Sequence, residues 1–475
     1  MFLRLRKITS VSQQIKKYYS SFKLPPISIN HESFSDKPFN GRKLDEVIKG
    51  RHEHLSPSLA TFQAFQNPFY LTRARMQYLW DEKGKRHLDL LAQNLTISVG
   101  HNHPYVMDAI QKQMNNIVHS TTMYYNESPI KCAEELKKTL PSKHDWVVHF
   151  VNSGSEAIDL AMLLARAYTK SWDILSLRNS YHGLHSTAMG ATGLYKCKQD
   201  FPTDFGIKHV VQPDMYRGIF SDLDEETAVK KYAQEVENTI TYSTPGKIAG
   251  FLFEQVQGYG GIYHLPQGYL PRVSKYVKDA GGLIIADEVQ SGFGRMGTCY
   301  WSYELQDIDP DIIVTAKGLG NGLPIAAVMV KREIAEAMTH KQFFNTYGGN
   351  PTVCAAGLAV LETIKKENIQ ERAHKVGNVF KESLLHVQKK YPNVIGDIRG
   401  QGLMYGVDIV KDPETKEPNS ELAVDVFELM KDNGVIMGLG SLHKNTLRVM
   451  PPMCVNEKDA KFMEEVFLYS LEKCL

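Results

Sequence analysis

The chain has 475 residues, 43% hydrophobic and 23% charged, which is the composition of an ordinary globular protein with material for one large or two smaller cores. No apolar run reaches the roughly 20 residues that cross a bilayer. The six cysteines (Cys132, Cys197, Cys299, Cys354, Cys454 and Cys474) form no CxxC pair, which argues for a reducing compartment and against a zinc or disulfide framework. The formal charge of +2 is unevenly spread: six bases precede the first acid, Glu32, and the remainder holds 49 bases against 53 acids, so nothing points to a nucleic-acid partner.

Residues 1–25 are basic and hydroxyl-rich and contain no acid, with Leu5, Ile8, Val11 and Ile15 at helical spacing. That is the composition of a mitochondrial transit peptide, with a disordered basic tail as the alternative. In residues 26–102 the stretch YLWDEKGKRHLDLL reads as a hairpin around an Asp-Glu-Lys-Gly turn, and this segment is assigned to a smaller domain. Over residues 103–349, short apolar runs (VVHFV, DILSL, IAGFLF, GLIIA, DIIVT) alternate with helical stretches such as SEAIDLAMLLARAYTK. That alternation predicts an α/β fold, a mostly parallel sheet with helices on both faces. Residues 350–475 read as helices plus a few alternating strands, a smaller α+β domain.

The strand ends carry the chemistry. In open α/β sheets, ligands bind beyond the carboxyl ends of the strands. VVHFV leads to Asn152-Ser153-Gly154-Ser155-Glu156, DILSL to Tyr181-His182-Gly183, IAGFLF to Glu254, GLIIA to Asp287-Glu288 and DIIVTA to Lys317. Five such ends on one edge predict an active site. Ser153-Gly154-Ser155, between a strand and a helix, suits an anion such as phosphate, although taken alone a plain capping turn with Ser153 or Ser155 as N-cap is the favoured reading. GLIIADE has the outline of a Walker B strand, but no GxxxxGK[ST] loop accompanies it. Gly318-Leu319-Gly320-Asn321-Gly322 is followed by Pro324 where a dinucleotide-binding helix would be running, which weakens that reading. An aspartate at one strand end and a lysine at the next suit pyridoxal phosphate. That cofactor needs a lysine for a Schiff base and a carboxylate to keep its pyridine nitrogen protonated.

ADEVQSGFGRMG followed by PDIIVTAKGLGNGLPIAAV resembles the signature of the class III aminotransferases, of the type I pyridoxal-phosphate fold. The blocks SVGHNHP, VNSGSEA, YHG, FNTYGGNP, GDIRGQGLMYGVDIV and LRVMPPM extend the resemblance in order over nearly the whole chain, most closely to the mitochondrial alanine–glyoxylate branch. The resemblance implies that Lys317 is the Schiff-base lysine and the base for proton transfer. It places Asp287 on the pyridine nitrogen, Gln290 on the ring hydroxyl, Val289 under one ring face and Tyr181, beside His182, on the other. Gly154 and Ser155 would bind the phosphate, joined by Thr346 of a neighbouring subunit, so a homodimer or higher homo-oligomer is expected. Arg448 would hold a substrate carboxylate, and Glu254 would neutralise that arginine when no carboxylate is bound. Gln255 departs from the usual proline, and Gln93-Asn94 from the small residues usual there.

Leu184 stands where glutamate-using relatives carry a second arginine. A γ-carboxylate buried without a positive partner costs on the order of several kcal/mol, so short 2-oxo acids such as glyoxylate or pyruvate are the expected acceptors. Alanine or a β-amino acid is the expected donor. The rival expectation is a phospho-lyase acting on ethanolamine phosphate or phosphohydroxylysine, against which the resemblance sets Arg448 and the Leu91-Ala92-Gln93-Asn94 spacing. His101, His103 and His119 have no metal-ligand spacing and read as packing or capping residues.

Overall fold

The computed structural model describes residues 24–25, 37–60, 65–203 and 205–475, so the expected leader lies outside the described residues except for Leu24 and Pro25. The helices Leu44–His54 and Pro57–Ala60 are followed by three short strands: β1 (Arg73–Arg75), β2 (Tyr78–Trp80) and β3 (Arg86–Asp89). β2 and β3 form the expected hairpin, antiparallel, with Tyr78 opposite Leu88. Asp81 shapes its turn, accepting from the N–H groups of Lys83 (2.9 Å) and Lys85 (2.8 Å).

The chain then lays down β4 (Trp146–Val151), β5 (Ile174–Leu177), β6 (Ile207–Val210) and β7 (Gly250–Phe253). A small hairpin of β8 (Val256–Gln257) and β9 (Tyr263–His264) precedes β10 (Leu283–Asp287), β11 (Ile312–Thr315) and β12 (Ala326–Lys331). Seven of these strands make one sheet in the order β4-β12-β11-β10-β7-β5-β6, parallel except for β12. Every residue of β5, β7, β10, β11 and β12 is buried, which is why those segments read as continuous apolar runs. Alternate residues feed two separate cores. Phe251, Phe253, Ile284, Ala286 and Ile313 join one that includes Val229, Val236 and Val273 of the helices Glu225–Ser243 and Tyr269–Asp279. Leu252, Ile285, Ile312 and Val314 join another built on the helix Gly154–Thr169. The expected helix-covered sheet is present. β6 and β12 were not among the apolar runs expected to be strands. IKHV is half polar because β6 is the sheet edge.

The helix Pro351–Lys366 packs on the helices Pro104–Asn116 and Glu127–Lys137. Beyond the helix Ile369–Lys390 lie β13 (Ile395–Gln401), β14 (Met404–Asp412), β15 (Glu417–Pro418), β16 (Val435–Ile436), β17 (Gly438–Gly440) and β18 (Thr446–Val449). The sheet order is β13-β14-β18-β17, with β15 on β14. β16 pairs in parallel with β3, so the N-terminal hairpin shares a sheet with the C-terminal segment.

Candidate active site

At the end of β4, Ser153 caps the helix Gly154–Thr169, its Oγ accepting from Glu156 N–H at 3.2 Å. The Glu156 carboxylate turns back to accept from the Asn152 N–H (2.5 Å). This leaves the N–H groups of Gly154 and Ser155 without a protein acceptor among the described residues, at the positive end of a helix dipole. The turn after β5 closes on them. Leu184 N–H donates to Ser155 Oγ (3.1 Å), and a Cβ on Gly183, whose φ is +115°, would fall 2.3 Å from that oxygen.

At the end of β10, Asp287 Oδ2 bonds His182 Nδ1 at 2.7 Å and Oδ1 accepts from Val289 N–H at 3.0 Å. Both side chains are buried. Nδ1 must donate to the carboxylate, so His182 works from behind Asp287, and its Nε2 has no partner among the described residues. Glu288 beside it is a pin: its carboxylate accepts from the N–H groups of Ser302 (2.8 Å) and Tyr303 (2.7 Å). Glu254, at the end of β7, accepts from the N–H groups of Tyr181 (2.8 Å) and Gly258 (3.3 Å) and from Gln290 Nε2 (3.3 Å). Burial pushes its carboxyl up to about 7, with His182 opposing and Asp287 adding to the rise.

Lys317 follows β11 with a left-handed φ of 36°. No acceptor among the described residues lies within hydrogen-bonding distance of its amine. Burial lowers its pKa to about 8; Asp287 and Glu254 oppose that fall, and Arg448 reinforces it. Gly154, Ser155, Tyr181, His182, Asp287, Val289, Gln290 and Lys317 all line one cavity of about 340 Å³. Eight of the residues singled out from the sequence thus meet in one place. Two free N–H groups for a phosphate, an amine of lowered proton affinity, a carboxylate and a tyrosine ring fit a phosphorylated aromatic aldehyde with a basic ring nitrogen.

Three of the expected residues stand elsewhere. Glu254 is buried behind Tyr181 and Gln290, and no ion pair joins it to Arg448 among the described residues. The backbone turn 254–258, held by Glu254 itself, has taken its oxygens. Arg448 lies on β18, 4% exposed, with no acid paired to it among the described residues and its Nε unpartnered. Burial pushes its guanidinium down to about 10. Thr346 is exposed and outside this chain's own cavity.

Two features went unread in the sequence. Tyr259 sits between the site's halves, its ring 5.5 Å from that of Tyr181 and 5.4 Å from the Arg448 guanidinium carbon, and no motif marked it. The segment Ala92–Leu95 is a left-handed turn, with φ of 52°, 50°, 58° and 69° at four successive residues. Asp89 Oδ1 holds its start, accepting from the N–H groups of Leu91 (2.9 Å) and Ala92 (2.8 Å), and its Oδ2 bonds His101 Nε2 at 2.8 Å. The turn delivers Thr96 to the cavity wall. His101, His103 and His119 bond Asp89, Glu367 and Asn350, as packing residues do.

The chain matches the family Aminotransferase class-III over residues 62–470. It is 41% identical over 451 residues to alanine–glyoxylate aminotransferase 2 homolog 2, mitochondrial, of Arabidopsis thaliana, covering 95% of this chain and 91% of that one. It is 37% identical over 433 residues to ethanolamine-phosphate phospho-lyase homolog 1 of Caenorhabditis elegans, covering 88% and 91%. A phospholyase from Arthrobacter, solved in complex with phosphoethanolamine, superposes with a TM-score of 0.83 at 31% identity, covering 90% of this chain and 99% of that one. The chain belongs to the class III aminotransferases, enzymes of the type I fold whose cofactor is pyridoxal phosphate.

Proposed function

We propose that the protein is a transaminase that moves an amino group from alanine or a β-amino acid to a short 2-oxo acid such as glyoxylate or pyruvate, by a ping-pong sequence of two half-reactions. One observation carries the reading. Arg448 is a buried guanidinium with no paired acid among the described residues, and such a charge is costly unless an anion comes to it. A substrate carboxylate, held by two parallel N–H···O bonds, suits it. Leu184, exposed at the turn after Gly183, offers no second cation, which disfavours 2-oxoglutarate.

The cofactor supplies an electron sink for the pair left when the amino acid loses its α-proton. The chain's own residues do the rest. Gly154 and Ser155 donate backbone N–H bonds to the phosphate, and Thr346 of a neighbouring subunit joins them in a homodimer. Asp287 holds the proton on the ring nitrogen and His182 holds Asp287. Gln290 meets the ring hydroxyl, while Tyr181 and Val289 cover the two ring faces and exclude water. Lys317 is the attachment point and, once released, takes the α-proton as its neutral amine, a form well populated near pH 8. The basic leader, together with mitochondrial relatives at 36–41% identity, supports delivery to the mitochondrial matrix by a transit peptide.

The competing reading is a phospho-lyase on ethanolamine phosphate or phosphohydroxylysine, which the Caenorhabditis relative supports. A panel of donors and acceptors, read by cofactor absorbance and by phosphate release, decides. Amino transfer from alanine or a β-amino acid to glyoxylate or pyruvate, faster than to 2-oxoglutarate, is expected. Phosphate release from ethanolamine phosphate without transfer from any amino acid would sink the proposal.

A further inference from the structure

Three glycines surround Arg448 on one sheet face. Gly406 of β14 lies opposite it on one side and Gly438 of β17 on the other, with Gly440 two residues along. Residues paired across a ladder, or two apart on a strand, share a face. None of the three has a positive φ, so none is glycine for its backbone conformation. Glycine weakens a strand interior and commonly marks a close approach, and here the approaching groups can be named. A Cβ on Gly440 would lie 2.7 Å from Arg448 Nε, 2.9 Å from its Cδ and 3.2 Å from the Tyr259 carbonyl oxygen, and one on Gly438 would lie 2.9 Å from Leu91 Cδ1 and 3.1 Å from Arg448 Nε. Gly406 instead admits the carbonyl of Gly261, 2.9 Å from its Cβ position, and so lets the turn carrying Tyr259 approach.

Arg448 therefore lies down across β17, with Tyr259 over its guanidinium. The acid on the same face is already occupied. Asp408, opposite Thr446, is bound by Arg217, by Arg399 Nη2 (2.8 Å) and by Thr446 Oγ1 (2.5 Å). On the reading that Arg448 receives the substrate carboxylate, we infer that Gly438 and Gly440 are specificity-determining positions, a trench that fixes this arginine in one place. With the arginine fixed and the nearby acids engaged, donor and acceptor must each bring their own anionic group, and plain amines are excluded.

The test is a double-mutant cycle of Gly440→Ala and Arg448→Ala on the cofactor-loaded enzyme. It reads thermal midpoint, KM and kcat for the amino donor, and inhibition by acetate as the carboxylate probe. Gly440→Ala is expected to raise KM and the acetate inhibition constant roughly tenfold, with kcat within about threefold and cofactor absorbance intact. In the Arg448→Ala background the added methyl meets no guanidinium and only the Tyr259 carbonyl oxygen at 3.2 Å, so it costs little further in KM and most of the lost thermal midpoint returns. Additive losses, or wild-type KM and acetate inhibition in Gly440→Ala, overturn the inference. Should Gly440→Ala alone not fold, the double variant still decides: a folded protein with a midpoint close to that of Arg448→Ala supports the trench, and failure to fold overturns it. Absence of any amino-acid donor would instead refute the transaminase reading. The thermal and acetate readings need no donor and would still report on the trench.

Discussion

Lys317 is pulled two ways: burial favours its neutral amine, and Asp287 and Glu254 favour its ammonium form. Only the neutral amine can attack an aldehyde. In cofactor-free protein, capture of pyridoxal phosphate followed by stopped-flow absorbance should therefore speed up with pH and level off above about 8. Glu254→Gln removes one of the two carboxylates that hold the proton, so the midpoint should move to lower pH; a midpoint at the ordinary lysine value in the wild type would contradict the burial argument. Lys317→Ala should bind the cofactor reversibly, with turnover down at least 10³-fold, as expected when a base and its covalent anchor are lost together. The lysine and aspartate were legible in the sequence because each ends an apolar strand. The isolation of Arg448 was not legible. It depends on where Asp408 and Glu254 spend their oxygens, and neither hydrogen-bond set leaves a mark on a one-dimensional pattern.

The left-handed turn Ala92–Leu95 shows the same limit for an element. A left-handed helical conformation costs L-residues roughly 1–2 kcal/mol each, and Ala, Gln, Asn and Leu contain no glycine to warn of it. Only the Asp89 carboxylate, three residues from Ala92, hints at a held loop. Gln93 is exposed, so its side chain contributes little to offset the strain. Gln93→Gly should raise stability by about 0.5–1 kcal/mol in denaturant unfolding, because glycine adopts positive φ without steric cost. A loss of stability would mean that the Gln93 side chain itself anchors the turn. The hairpin β2–β3 was legible from its turn residues. The direction of β12 was not, because an apolar run such as AAVMV reads the same in either orientation.

For the whole molecule, exposed aromatic residues gather around one groove of about 520 Å³ lined by Tyr124, His149, Phe343 and Asn345. Tyr125, Phe344 and Tyr347 are exposed beside it in the chain, and Thr346 stands among them. Apolar surface of this extent marks an interaction face, and the proposed homodimer would cover it. Phe344→Asp should shift the protein toward monomer in sedimentation. Thr346→Ala should keep the dimer but weaken cofactor retention roughly tenfold, the size of one hydrogen bond to a charged group. Unchanged sedimentation in Phe344→Asp would move the interface elsewhere.

The antiparallel strand β12 has a consequence for how the sheet closes. Among the described residues β4, which carries the Gly154-Ser155 turn, joins the central sheet through β12 alone. β12 follows Lys317 in the chain and is about 180 residues downstream of β4. β4 therefore pairs with this sheet only once β12 is in place. That pairing is one of high sequence separation, the kind that forms slowly. The helix Gly154–Thr169 packs on β7, β10 and β11 as well as on β12, so side-chain packing draws the anion-binding turn toward the lysine-bearing strand and β12 locks it there by backbone hydrogen bonds.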